Sequence, residues 1–344
     1  MTTDVNTTAA SAPTIPTGPA IPAIPDAAAA GTWRLGDRTV NRVGLGAMRL
    51  VGMPGDEAPR GRDGSMAVLR RAVELGVNHI DTAAFYFMPL RSANELISTA
   101  LQPYGDALTI TTKVGPSRAR DGGFEHMARP DELRAQVEEN IRQLGRDHLD
   151  VVNLRWGTRM AGEGREPESV AEHFGALADL RDAGLVRHLG ISNVLPEQVT
   201  EAMSVAPVVC VQNQYGLTSR EDDAVLDLCG QHGIAFVPFF AVGAAVPGAA
   251  LHGGPDETGQ AEVAAVAAAH GATPAQVRLA WTLHRGPHVL AIPGTGNVAH
   301  LEENVAAGAL RLTDDELALL DGVGRDSAGR DGAGTGTTEA PASR

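Results

Sequence analysis

Val77-Asn-His-Ile-Asp81 and Leu108-Thr-Ile-Thr-Thr-Lys113 are short β-type runs, each closing on a charged residue. Six more share their character. Val43-Gly-Leu-Gly-Ala47 precedes them, and Leu149-Asp-Val-Val-Asn-Leu154, Val186-Arg-His-Leu-Gly-Ile191, Val208-Val-Cys-Val-Gln212, Ile234-Ala-Phe-Val237 and Val289-Leu-Ala-Ile292 follow. Helix-type stretches lie between, such as Arg129 to Leu144, Glu168 to Ala183 and Asp222 to His232, with Gly145, Gly184 and Gly233 as stop signals. Ala272 to Leu283 reads as a late helix, with Thr273 as N-cap and Pro274 in the first turn. Short runs that are apolar throughout suit parallel strands covered on both faces. Eight such strand–helix units predict an α/β fold, a (β/α)8 TIM barrel. A doubly wound sheet is the competing architecture, but it needs a GxGxxG turn after its first strand. Gly44-Leu-Gly46 runs instead into Met48-Arg49-Leu50 with no third glycine. Thr32 to Val40 places a Gly-Asp turn between two short β runs, which predicts an N-terminal β-hairpin plugging the barrel bottom.

The 344 residues carry a net charge of -14 and 43% hydrophobic residues. A chain this acidic lacks the basic face that nucleic acid or an anionic membrane requires. Cys210 and Cys229 show no CxxC spacing, and no His/Cys/Asp cluster has metal-ligand spacing, so no metal is expected. Residues 1–31 are rich in Thr, Ala, Pro and Gly, with no Lys or Arg. They lack the features of a secretory or transit signal, which predicts a disordered extension and a cytoplasmic protein. Residues 326–344 read as a similar tail, leaving 32–325 as the barrel.

Of 28 Lys and Arg residues, the single lysine is Lys113. Arginine is a planar fork that is always charged, whereas lysine is a compact point charge whose pKa responds to its neighbours. In a barrel, the C-terminal strand ends face the active site. Lys113 ends the third run, and the second continues Asp81-Thr-Ala-Ala-Phe-Tyr86. These three suit carbonyl reduction, which needs a proton on the carbonyl oxygen. A tyrosine can supply it, but its reference pKa is about 10. A neighbouring ammonium favours the phenolate, and an aspartate orients the ammonium. Taken singly, Asp81 could be a cap and Tyr86 a lining aromatic.

With those motifs in view, residues 32 to 323 resemble the aldo-keto reductases. Asp81-Thr-Ala-Ala-Phe-Tyr86 is similar to the family's DTAxxY motif, and Thr112-Lys113 to its catalytic lysine strand. The resemblance implies that Asp81, Tyr86 and Lys113 belong to a catalytic tetrad. It implies NADP(H) as cofactor, with Ser192, Asn193 and Gln212 on the nicotinamide amide and Phe239 stacked on its ring. Gly46 and the segment from Ile292-Pro-Gly-Thr295 to Glu303-Asn304 complete the implied cofactor site, including Gly294, Thr295, His300, Glu303 and Asn304.

The chain departs from the family at the fourth tetrad position. Five residues after Asp150, where the family usually has His, stands Arg155. Arg155 either donates to the carbonyl oxygen as a fixed cation or marks weak activity on ordinary aldehydes and a special substrate. The Asn153-Leu154-Arg155 segment resembles the bacterial pyridoxal reductase (pyridoxine 4-dehydrogenase) branch. This implies reduction of a small carbonyl compound, with pyridoxal to pyridoxine the best single assignment. The loop after the eighth run has no Lys or Arg for a 2′-phosphate. The alternative from another class is a nicotinamide-binding regulatory subunit with little turnover. Oligomeric state is not legible.

Overall fold

The computed structural model describes residues 24–52, 61–88, 91–118, 124–157, 168–242 and 259–323. Seven barrel strands run parallel in chain order: Leu45–Gly46, His79–Asp81, Thr109–Val114, Leu149–Arg155, Val186–Ser192, Val208–Gln212 and Ala235–Phe236. They are called strands one to seven below. The eighth run pairs with strand seven through Phe236 and Val289, and with the strand-one segment through Val43 and Ala291 and through Gly46 and Gly294, all parallel. These contacts close the barrel.

The eighth run forms single bridges where the sequence reading expects a full strand, and the reason is local. Its neighbour is two residues long and flanked by Gly44, while Pro293 has no N–H to give to a ladder. The glycines permit the closure. A Cβ on Gly46 would stand 2.6 Å from the Ile292 carbonyl oxygen, and one on Gly44 would stand 2.7 Å from that of His79.

Thr32–Leu35 and Arg38–Asn41 form the expected antiparallel hairpin, with Gly36 at positive φ in its turn. Leu35 and Val40 pack with Val151, Cys210, Ala235, Val237 and Leu290, plugging the barrel interior from below. The outer apolar layer joins the strands to the surrounding helices. Helices Leu133–Leu144 and Asp223–His232 stop at Gly145 and Gly233, both left-handed. Helix Pro274–His284 starts on the capping box of Thr273 and Gln276. The helix expected over Glu168 to Ala183 is shorter, Ala171–Asp182.

The body begins before residue 32. Ala27–Ala30 form a 3-10 turn capped by Asp26. Ala27 N–H donates to the Leu75 carbonyl at 2.9 Å, and Arg311 donates to that of Ala29 at 2.7 Å. Alanine composition reads as disorder, but here the small Ala27 and Ala30 bury against the core. Residues 1–23, 324–344 and the loop segment 243–258 lie outside the described residues. Among the described residues no helix is long and apolar enough to cross a membrane.

His79 stands inside strand two, fully buried. Its Nε2 lies 3.4 Å from Thr111 Oγ1, and among the described residues its Nδ1 has no hydrogen-bond partner. Burial pushes its pKa down to about 4, opposed by Asp81 and reinforced by Lys113. The unfolded chain therefore binds a proton that the folded chain refuses between about pH 6.5 and 4. Stability from this group is full above that window and is lost as pH falls through it. Urea unfolding at pH 7 and pH 5 is expected to show His79→Gln losing about 2 kcal/mol less than wild type over that step. Equal losses would contradict this.

Candidate active site

Strand register builds the site in two layers. In the lower layer Lys113 stands beside Asn153, Asn153 beside Gly190, and Gly190 beside Cys210. In the upper layer Arg155 stands beside Ser192, and Ser192 beside Gln212. Side chains alternate along a strand, so residues two apart share a face. Val151, at the barrel bottom, and Asn153 and Arg155 above it therefore stack up one wall.

The Lys113 ammonium lies 2.6 Å from Asp81 Oδ1 and 3.0 Å from the Thr82 carbonyl oxygen. Both side chains of the pair are nearly sealed, at 3% and 4% exposed. Burial alone would lower the lysine pKa, but Asp81 and then Tyr86 more than offset it, and the pKa lies above the ordinary value. Thr82 is fixed in turn: its N–H donates to the Thr111 carbonyl at 2.8 Å, and its hydroxyl to Asn94 Oδ1 at 2.8 Å. The ammonium lies 4.9 Å from the centre of the Tyr86 ring. The phenol is half-buried, with Phe85 edge-on at 5.3 Å.

Arg155 comes into the same cluster. Its Nη1 is 3.5 Å from Ser192 Oγ, and its guanidinium carbon is 5.3 Å from the centre of the Phe239 ring. Among the described residues it forms no salt bridge. Burial pushes its pKa down, with Tyr86 and Asp81 pulling it back up. An arginine remains a cation regardless.

Asn193 is held in the left-handed region at φ 63, its N–H donating to Asn213 Oδ1 at 2.8 Å. Its side-chain amide donates to the Trp156 carbonyl at 2.9 Å, which leaves Oδ1 as an acceptor. Gln212 is used differently from the sequence expectation: its Nε2 donates to Asp81 Oδ2 at 2.9 Å. Its N–H2 is thus engaged inside the barrel.

Gly294 and Thr295 follow the closing run and lead into helix Val298–Ala306, capped by Asn297. Thr295 Oγ1 accepts from the Asn297 N–H at 3.0 Å. His300 is exposed on this helix, Glu303 is half-buried and Asn304 is buried. Among the described residues no hydrogen bond or ion pair joins these three to Lys113, Asp81 or Tyr86. Gly46 is buried at the closure, bridged to Gly294.

Sequence reasoning missed the lower-layer residues Asn153, Gly190 and Cys210. The signal was a polar residue at an inward alternate position, Asn153, within an apolar strand. It also missed Arg49. A Cβ on Gly294 would stand 3.4 Å from Arg49 Cγ, so this arginine from the loop after strand one packs over the strand-eight loop.

With this geometry in view, the similarities are specific. A family model described as "Aldo/keto reductase family" matches residues 42–325. Pyridoxine 4-dehydrogenase of Escherichia coli (strain K12) is 46% identical over 297 residues, covering 86% of this chain and 99% of the relative. The thermostable aldo-keto reductase Tm1743, solved with the inhibitor epalrestat, superposes with a TM-score of 0.69 at 28% identity, covering 85% of this chain and 99% of that one. An aldo-keto reductase from Klebsiella pneumoniae in complex with NADPH superposes with a TM-score of 0.65 at 28% identity, covering 84% of this chain and 93% of that one. The barrel, the buried Lys113–Asp81 pair under Tyr86 and a family match over most of the chain agree, and the chain belongs to the aldo-keto reductase family.

Proposed function

We propose that the chain is an NADP(H)-dependent reductase of a small aldehyde, with pyridoxal as the best single substrate. One observation carries the chemistry: a buried ammonium held by a carboxylate, 4.9 Å from the centre of a half-exposed tyrosine ring. The bound nicotinamide supplies hydride. The chain supplies the proton and the charge around it. Tyr86 donates its hydroxyl proton to the carbonyl oxygen, and Lys113 stabilises the negative charge left on the phenol oxygen. Asp81 keeps the ammonium in place.

The residues present fit such a cofactor. Ser192 Oγ and Asn193 Oδ1 stand at adjoining strand ends and offer acceptors to a carboxamide N–H2, with Gln212 beside them bound inside the barrel. Phe239, beside them, offers a ring face. At the other end, Gly294 lets backbone approach closely, the N-terminus of helix Val298–Ala306 favours negative charge, and the aliphatic stem of Arg49 packs against the same loop. The likeness to an aldo-keto reductase solved in complex with NADPH supports NADPH as the cofactor. Thr295, His300, Glu303 and Asn304 are assigned to the same end of the site, and Gly46 to the floor beneath it.

Arg155 is the substrate-side residue. A fixed guanidinium beside Tyr86 can donate to the carbonyl oxygen as negative charge develops there. Pyridoxal adds a phenolic oxygen next to its aldehyde, which suits a permanent cation better than a titrating imidazole. The regulatory alternative gains nothing from the site, because a protein that only binds nicotinamide has no use for a buried ion pair under a tyrosine.

Two measurements test this. NADPH oxidation with pyridoxal is expected to be robust in wild type and to fall by about 10²–10⁴ in Tyr86→Phe, the usual worth of a positioned acid. A wild-type rate no higher than that of the variant, with NADPH still bound, would move the assignment to another carbonyl or to the regulatory alternative. Arg155→His is expected to lower kcat/KM for pyridoxal more than for benzaldehyde, which lacks the phenolic oxygen. An unchanged pyridoxal rate would rule the pairing out.

A further inference from the structure

Asp81 is held from both sides. Its Oδ1 takes the Lys113 ammonium at 2.6 Å, and its Oδ2 takes Gln212 Nε2 at 2.9 Å. The donors continue behind Gln212. Asn153 Nδ2 faces Gln212 Oε1 at 3.5 Å, and the Cys210 thiol donates to Asn153 Oδ1 at 3.0 Å. Asn153, Cys210 and Gln212 are all fully buried, so no water competes for these groups.

The direction of this chain is set at its ends. A carboxylate only accepts, while a protonated thiol donates and its sulfur accepts only weakly. Burial pushes the Cys210 pKa up to about 12, so the thiol keeps its proton. Turning the Gln212 amide over would set Oε1 against Asp81 Oδ2, two acceptors in a dry interior. Turning the Asn153 amide over would present N–H2 to the thiol and an oxygen to Gln212 Oε1. An unmet buried polar group is costly, and a mismatched pair is worse.

Gly190 makes the first link possible. It stands between Asn153 and Cys210 in register. A Cβ there would overlap Asn153 Oδ1 and come within 2.6 Å of Cys210 Sγ. Any side chain on Gly190 would therefore part the two. Asn153 lies one layer below Arg155, two residues earlier on the same strand.

We infer that Asn153, turned by the Cys210 thiol across Gly190, is a positioning residue: it fixes the direction of the Gln212 amide, so that Gln212 donates to Asp81 and holds it against Lys113. The inference deepens the reductase reading and rests on it for its kinetic readout. It commits both ends of the Gln212 amide inside the barrel, the N–H2 to Asp81 and Oε1 to Asn153.

The test compares wild type, Asn153→Leu, Cys210→Val and Cys210→Ser. It reads kcat with pyridoxal, NADPH Kd by fluorescence titration, and the Gln212 side-chain amide by NMR solvent exchange. Asn153→Leu is expected to lower kcat about tenfold, what one misdirected buried hydrogen bond supplies, with NADPH Kd unchanged. Cys210→Val is expected to lower kcat less, and Cys210→Ser, which keeps a donor, to recover most of that loss. The Gln212 N–H2 is expected to exchange slowly in wild type and faster in Asn153→Leu. A kcat loss matched by weaker NADPH binding would make Gln212 a cofactor anchor alone and overturn the inference. So would a serine variant no better than valine, or Gln212 exchange unchanged by Asn153→Leu. If wild type turns over no faster than Tyr86→Phe, the reductase reading fails, and the exchange measurement decides the inference by itself.

Discussion

A buried ammonium needs a buried anion. The Lys113–Asp81 pair is sealed inside the barrel, and removing one partner of such a pair typically costs about 3–5 kcal/mol because the other charge is left stranded. That constraint organises its surroundings. Parallel register sets Asp81 beside Thr111, two positions and so one layer below Lys113. The Thr82 carbonyl takes a second ammonium proton, and Asn94 holds the Thr82 hydroxyl. Gln212 takes the remaining carboxylate oxygen. Each of these polar groups would be a liability if unmet, and each is met by the next. The half-buried tyrosine and arginine are the least enclosed members of this cluster.

Arg155 changes the electrostatics of that pocket without changing its floor. An imidazole in its place would be neutral or charged according to pH, whereas the guanidinium is charged throughout. It is tethered loosely, by Ser192 on one side and the face of Phe239 on the other. The result is a cation at the rim of the site, placed to meet an electron-rich carbonyl compound.

Much of this was legible in the sequence, for identifiable reasons. The third to sixth strands are β-type runs rich in Val, Leu, Ile and Thr, and the observed strands follow them closely. Helices ended where Gly145 and Gly233 take left-handed backbone, and one began where Thr273 and Gln276 form a capping box. The lone lysine drew attention to strand three. Other features needed three dimensions. The eighth run's weak pairing depends on how little ladder Gly44, Gly46 and Pro293 leave between two short partners. The early start of the body depends on alanines finding room against Leu75 and Gly308, which composition does not reveal. Asn153 and Cys210 are 57 residues apart and meet only because Gly190 stands between them in register. Arg49 reaches the strand-eight loop only because the barrel closes.

The central claim is that the proton donor depends on a compact ammonium that a guanidinium cannot replace. Lys113→Arg tests it most directly, since the variant keeps the charge and changes only its shape and tunability. Its kcat for pyridoxal reduction should be measured beside wild type, with NADPH affinity as the control. The account predicts NADPH still bound and kcat lower by about 10² or more, the scale of a lost acid catalyst. Near wild-type turnover in Lys113→Arg would contradict it.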